Sequence, residues 1–222
     1  MPTQDIGQVR RAVAGLTNNA SGLPTIDPSG ALVVIDFFAK AVLDGYGYQV
    51  RAGTVTTPLV GDVVITDTAA EYCVDVANGG TLIPMRNNIA IRLGGGTLHE
   101  YAVKSVATAS SAGTAFVPLL LKSDGVAAAR TTARVSAAGG VTVTAETATT
   151  TLRHWAWSNP VAVGAGNDLS GELNWEPRRP PRLAGTSSAA RCLYVQIAAT
   201  TTGPSYYASL DYLEIPTALL AT

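Results

Sequence analysis

From Tyr46 onward the chain is written in short apolar runs separated by turn residues. The clearest run is Arg191 to Ile197, where Leu193, Val195 and Ile197 alternate with other residues and so share one face of a strand. A Thr/Gly/Pro break at 199–204 leads into a second run, Tyr206 to Ile215. There Tyr206, Ala208, Leu210 and Tyr212 fall on one face, while Leu213 and Ile215 fall on the other. That phase predicts a bulge near Tyr212 or a strand buried on both faces. Further strands are predicted at Tyr48–Thr56, Asp62–Thr68, Glu71–Val76, Thr81–Met85, Asn88–Leu93, Thr97–Val106, Thr114–Leu121, Val126–Val135, Val141–Thr147, Leu152–Trp157 and Leu169–Trp175. Breakers such as Asn78-Gly79-Gly80, Gly94-Gly95-Gly96, Ser123-Asp124-Gly125 and Asn159-Pro160 stand between them. Short strands at regular spacing, with no helix-length segment among them, predict a sandwich or barrel rather than βαβ units. Thr142 to Thr151 is a Thr/Ala ladder with little bulk, suited to an edge strand or an exposed loop.

The first 45 residues read differently. Ile6, Val9, Val13 and Leu16 recur at helical spacing, with Arg10 and Arg11 off that stripe, before the break at Thr17–Pro24. Asp27-Pro28-Ser29 is a helix-start signal, Ala31 to Leu43 contains no Gly or Pro, and Gly45 suits the C-terminal cap. Asp36, Lys40 and Asp44 form one polar stripe, so the rest of such a helix requires cover. Leu32-Val33-Val34-Ile35 alone is equally compatible with a strand. The division is an arm and helix at 1–45 and a β domain at 46–222.

Composition sharpens this. Of 222 residues 47% are hydrophobic, enough for a core, but only 14% are charged, against roughly 25% for an ordinary soluble domain. Interface cores are depleted in charge, so the deficit points to a surface covered by neighbouring subunits. The net charge of −1 supplies no global field for nucleic acid. Met1–Asp5 does not open a signal-peptide pattern, and no apolar run is long enough for a bilayer span. Cys73 and Cys192, the only cysteines, sit in strand patterns and read as small buried hydrophobes rather than a disulfide scaffold or a zinc site.

Catalytic chemistry finds little to use. His99 and His154 are the only histidines and neither belongs to an HExxH or cysteine-flanked metal motif. His154 reads as lying opposite Trp155 and Trp157 on its strand. No GxSxG elbow is present, and the spacing of the carboxylates selects no glycosidase pair. Gly94-Gly95-Gly96-Thr97 lacks the GK[ST] of a phosphate loop and reads as a turn. No enzyme, cofactor or metal is expected. Two sets of side chains are candidates for contact instead. Arg178, Arg179 and Arg182, in the proline-locked stretch Trp175–Arg182, suit a subunit or nucleic-acid contact, as do Arg10 and Arg11. Trp155, Trp157 and Trp175 suit aromatic contact, with core packing as the plainer role.

Together, the arm at Met1–Pro24, the strands from Tyr48 to Trp175, the loop Pro177–Pro181 and the closing pair ending in Ser209–Pro216 resemble a single jelly-roll capsid protein of a virus or phage. The resemblance covers about 170 residues in outline and is architectural rather than motif-based. It implies an all-β antiparallel sandwich of jelly-roll type, with an N-terminal arm and a short helix. It also implies a structural virion protein, located in the capsid, that assembles with itself into an icosahedral shell and with other virion proteins. The arm holds only Arg10 and Arg11, so contact with nucleic acid is expected to be weak or indirect, leaving room for an internal membrane. A jelly roll would also place the two closing strands in opposite sheets, facing one core, instead of pairing them as a hairpin. The alternatives are a carbohydrate-binding sandwich using the three tryptophans, and a phage tail, fibre or decoration protein.

Overall fold

The computed structural model describes residues 36–93, 96–122, 129–136, 140–144, 150–158, 171–186 and 189–220. The main strands are β1 (Gly47–Ala52), β2 (Tyr72–Val76), β3 (Gly80–Leu93), β4 (Leu98–Val106), β5 (Thr150–Ser158), β6 (Gly171–Trp175), β7 (Arg191–Ala199) and β8 (Ser205–Pro216). They build two antiparallel sheets. The first has the order β6-β3-β8-β1 and is extended beyond β1 by Leu119–Leu120. The second has the order β5-β4-β7-β2 and is extended beyond β2 by Thr132–Val135 and Thr114–Phe116. The result is an all-β antiparallel sandwich. The predicted helix over 3–16 lies outside the described residues.

Period-two alternation decides what lies between the sheets. Tyr48, Val50 and Ala52 of β1 and Tyr206, Ala208, Leu210 and Tyr212 of β8 face inward from the first sheet. Tyr72, Val74 and Val76 of β2, Tyr101 and Val103 of β4, and Leu193, Val195 and Ile197 of β7 meet them from the second. The closing strands therefore occupy opposite sheets and share one core, as the alternation of Leu193, Val195 and Ile197 implies. The phase near Tyr212 comes from burial of β8 on both faces, and the bulge at that level lies on the partner strand. Asp211 pairs with Arg86 and Tyr212 with Pro84, so Met85 is the extra residue of a bulge on the partner strand β3. At the same time Leu213 and Ile215 are buried on the outer face of β8.

The same bulge corrects a sequence expectation. Thr81–Met85 and Asn88–Leu93 are one 14-residue strand rather than two. Leu82 is inward before the bulge and Ile89 and Ile91 are inward after it, because one inserted residue exchanges the two faces. Thr114–Leu121 is corrected the other way. Pro118 cannot donate a ladder hydrogen bond, and the two halves join different sheets, Thr114–Phe116 the second and Leu119–Leu120 the first. Asp62–Thr68 is not a strand either. Apart from a bridge between Asp62 and Ala198, its backbone is irregular and Val63 and Val64 face solvent.

An outer layer covers the centre of each sheet. Over the first lies helix α1 (Phe37–Leu43), whose Ala41, Phe38 and Val42 pack on Ile83, Leu213 and Ile215. It begins later than the sequence suggests. Asp36 has the extended backbone of an N-cap, and its carboxylate accepts from the amides of Phe38 and Ala39, so this helix starts at Phe37; the predicted stretch 31–35 lies outside the described residues. It ends as expected. Gly45 sits at φ +88°, its amide bonds to the Val42 carbonyl, and the Tyr46 amide bonds to that of Ala41, the paired closure that favours glycine. Lys40 and Asp44 of the polar stripe form an exposed ion pair at 2.8 Å. Over the second sheet lies a small sheet of Ala69–Ala70, Val141–Thr142 and Ser111–Ala112. It buries Cys73, Cys192 and Tyr194, which point away from the main core.

One polar side chain bridges the main core. Asn87, fully buried on β3, accepts from the Tyr72 hydroxyl at 2.7 Å and donates to the Tyr101 oxygen at 2.5 Å. Both tyrosines belong to the opposite sheet, so this amide sets how the sheets lie on each other. Replacing it strands two buried hydroxyls, each costing about 1–3 kcal/mol. Asn87→Ala is expected to destabilise the fold by roughly 3 kcal/mol in urea titration, and by clearly less when it is made in a Tyr72→Phe background.

Candidate functional site

The residues singled out in the sequence do not converge. Arg10 and Arg11 lie outside the described residues. Arg178, Arg179 and Arg182 are exposed on the irregular stretch between β6 and Leu183–Ala184, and Arg182 donates to the Leu220 carbonyl at 3.3 Å. The proline-rich stretch is not a central strand, as its missing donors require.

The tryptophans gather at the flank where β5 and β6 are the outermost strands. Trp155 and Trp157 share the inner face of β5, and His154 points outward, 3.9 Å from Glu100. Both rings have partners inside the molecule. Trp157 lies on the His99 ring at 4.9 Å and 8°, Trp155 on the Tyr101 ring at 4.8 Å, and the Arg153 guanidinium sits 4.2 Å over Trp155. Trp175 is only 8% exposed. The plainer role, closing the core, is the one these side chains perform. His99 is buried, and burial lowers its pKa, so it is a neutral packing partner for Trp157.

The structure assembles features that spacing along the chain does not disclose. The first is a carboxyl pair. Glu71 is buried where the loop after β1 meets β7; its two oxygens accept from the Asp62 amide at 3.2 Å and the Ile197 amide at 2.9 Å. The approach is close, since a Cβ on Gly61 would stand 2.5 Å from the Ile197 carbonyl oxygen. Burial, aided by the nearby Asp62 carboxylate, pushes the Glu71 pKa up to about 8 despite the amide hydrogen bonds. A second is the exposed face of the first sheet beside α1, where Arg86 pairs with Asp211 at 2.9 Å, the Gln49 amide donates to the same carboxylate, and Arg51 donates to Gln49. A shallow hollow of about 290 Å³ beside them is lined by Arg51, Asn88, Tyr207 and Ser209, near the lower size limit for small-molecule sites. The third is a buried group of Cys73, Asp75, Ser110 and Cys192 on the outer face of the second sheet.

The most extensive feature is apolar. Phe37 and Leu43 of α1 and Val117, Leu119 and Leu121 of the neighbouring edge are between 37% and 72% exposed. The two groups adjoin at Gly47, whose carbonyl accepts from the Leu121 amide and beside which Val42 and Leu121 both lie. Val55, Val60, Val63 and Val64 form a second exposed set in the loop after β1. Low charge and strand period anticipated such a surface, but its position depends on Pro118 turning the chain onto the β1 edge.

The chain matches no family model, no curated protein and no solved structure.

Glu71 makes the stability of the fold depend on pH. An unfolded glutamate releases its proton near pH 4.3, whereas in the fold the pKa is about 8. The folded state therefore holds the extra proton between these values. Its stabilising effect is complete below the lower value and is lost as pH rises through the upper one, by at most about 1.4 kcal/mol per pH unit. The thermal midpoint is expected to fall from pH 5 to pH 8 and level off above. Glu71→Gln, which mimics the protonated form, should flatten most of that slope; an unchanged slope in the variant would refute the assignment.

Proposed function

We propose that this protein is a structural component of a virion, an eight-stranded jelly roll whose copies assemble side by side into an icosahedral capsid. The fold part of the reading is supported by how the strand pairs nest. β1 pairs with β8, β2 with β7, β3 with β6 and β4 with β5, so the first strand meets the last and the pairing proceeds inward. A long hairpin paired in this way and then wound into two four-stranded sheets is a jelly roll. Fold alone does not select a function.

The observation that carries the step to assembly is the apolar surface around Phe37, Leu43, Val117, Leu119 and Leu121, in a chain with only 14% charged residues. A soluble monomer rarely leaves such a patch open. Covering it with another copy buries apolar area on each partner, and a closed arrangement multiplies weak contacts into a stable shell. The patch lies on α1 and the outer edge of the first sheet, a lateral position that suits side-by-side packing. The exposed valines of the loop after β1 offer a second contact. Nucleic acid enters this reading only indirectly, since the net charge of −1 supplies no global field and the first 24 residues hold only Arg10 and Arg11.

Light scattering coupled to size-exclusion chromatography is expected to find assemblies much larger than a dimer, and negative-stain microscopy to find closed spherical particles. Val117→Asp with Leu119→Asp should raise the concentration required for assembly at least about tenfold, since weakening each subunit interface by 1.4 kcal/mol corresponds to a factor of ten, with an unchanged circular dichroism spectrum. A wild-type chain that stays monomeric over a broad range of concentration and salt would sink the proposal, and fibres in place of spheres would transfer it to a tail or fibre protein.

A further inference from the structure

The buried group on the outer face of the second sheet has a chemistry that packing does not explain. Cys73 and Asp75 are two residues apart on β2 and therefore point the same way. Cys192 on β7 lies directly opposite Asp75 in the ladder. The two sulfurs and a carboxylate oxygen all fall within 4.8 Å of one another. Ser110 completes the group. Its hydroxyl donates to Asp75 Oδ2 at 2.5 Å and accepts from Cys73 Sγ at 3.1 Å, and its amide donates to Asp75 Oδ1 at 2.9 Å. Cys73 and Cys192 are 0% exposed, Ser110 7% and Asp75 8%, under a roof of Ala70, Val106, Val141 and Val143. A carboxylate placed under such a roof is costly unless it is well paired. The nearest cation, Arg134, has its Nε 3.9 Å from Asp75 Oδ2, beyond hydrogen-bond reach, and that nitrogen has no hydrogen-bond partner among the described residues.

We propose that Cys73, Cys192, Asp75 and Ser110 form a buried site for a thiophilic divalent cation of the zinc class. Two thiolates, a carboxylate oxygen and a hydroxyl supply four donors, the number that zinc takes in closed structural sites. With bonds of about 2.3 Å to sulfur and 2.0 Å to oxygen, tetrahedral ligand atoms stand roughly 3.3–3.8 Å apart. The Ser110 oxygen, 3.1 Å from Cys73 Sγ and 2.5 Å from Asp75 Oδ2, opens by less than about 1 Å to reach that spacing, and the two sulfurs and the carboxylate oxygen, all within 4.8 Å of one another, contract to it. Binding displaces the two thiol protons to solvent. The resulting site carries one net negative charge, which the Arg134 guanidinium beside Asp75 balances. The ladder register speaks against a disulfide as the purpose of the two cysteines. Cys73 is opposite Tyr194, not Cys192, so the pair is diagonal. Diagonal neighbours stand about 7–8 Å apart, whereas the Cα atoms of a disulfide are usually about 4.4–6.8 Å apart. A metal ion spans the wider separation. The burial implies that the ion enters as the chain folds and leaves only when it unfolds.

The full chain, unfolded in chelator with reductant and refolded with one equivalent of Co²⁺, tests this. The expected result is a thiolate-to-cobalt charge-transfer band, displaced by Zn²⁺, with one ion per chain after desalting and a raised thermal midpoint. Cys73→Ser and Cys192→Ser should abolish the band. Ser110→Ala, which leaves both thiols in place, should weaken binding about 10–100-fold while the fold remains intact by circular dichroism. Refolded wild-type protein that shows no band and retains no ion overturns the proposal. So does purified protein whose mass and thiol titration show Cys73 joined to Cys192.

Discussion

The architecture depends on burying β7 and β8 on both faces. Each sits inside its sheet and turns an apolar row toward the common core, but the opposite row is also closed to water. On β8 the outer row is Leu213 and Ile215, closed by α1; on β7 it is Cys192, Tyr194 and Gln196, closed by the small sheet, with the Gln196 amide donating to the carbonyls of Thr66 and Ala69. A sandwich with one wet face on each sheet needs only two layers. Here the burial demanded by the two closing strands requires four, and the helix, the loop after β1 and the segment near Val141 take their places because of it.

Much of this was legible in the sequence, for physical reasons that can be traced. Alternation located the inward rows of β7 and β8, because the strand period is two wherever one face meets the core, and short runs between breakers located β1, β2 and β4 as strands. The phase conflict between Tyr212 and Leu213 correctly signalled double burial. The failures share a cause as well. Arg86-Asn87 fell between two predicted strands because polar residues usually interrupt one, whereas Asn87 is the bridging amide of the core and Arg86 pairs outward with Asp211. Asp62–Thr68 looked like a strand because of its valines, whose partner is not in the sheet. Tertiary context decided both.

The features with most chemical character were the least legible. Glu71 and Asp62 are nine positions apart, and only the approach of the loop to β7 turns them into a proton-holding pair. Cys73 and Cys192 were read one at a time as small hydrophobes; Asp75 and Ser110 carried no signal because a ladder register, not a local motif, gathers them. The three tryptophans suited aromatic contact along the chain, with core packing as the plainer role, and Tyr101 and His99 lie against Trp155 and Trp157. Aromatic residues declare their size along a chain but not which of their faces is already taken.

The split at Pro118 gives the sandwich a spine. One continuous stretch, Thr114–Leu120, is stitched into the second sheet at its start and the first sheet at its end, so the β1–β2 flank is bound by covalent backbone as well as by side chains. At the opposite flank β5 and β6, consecutive along the chain, belong to different sheets and both turn tryptophan and leucine side chains into the core.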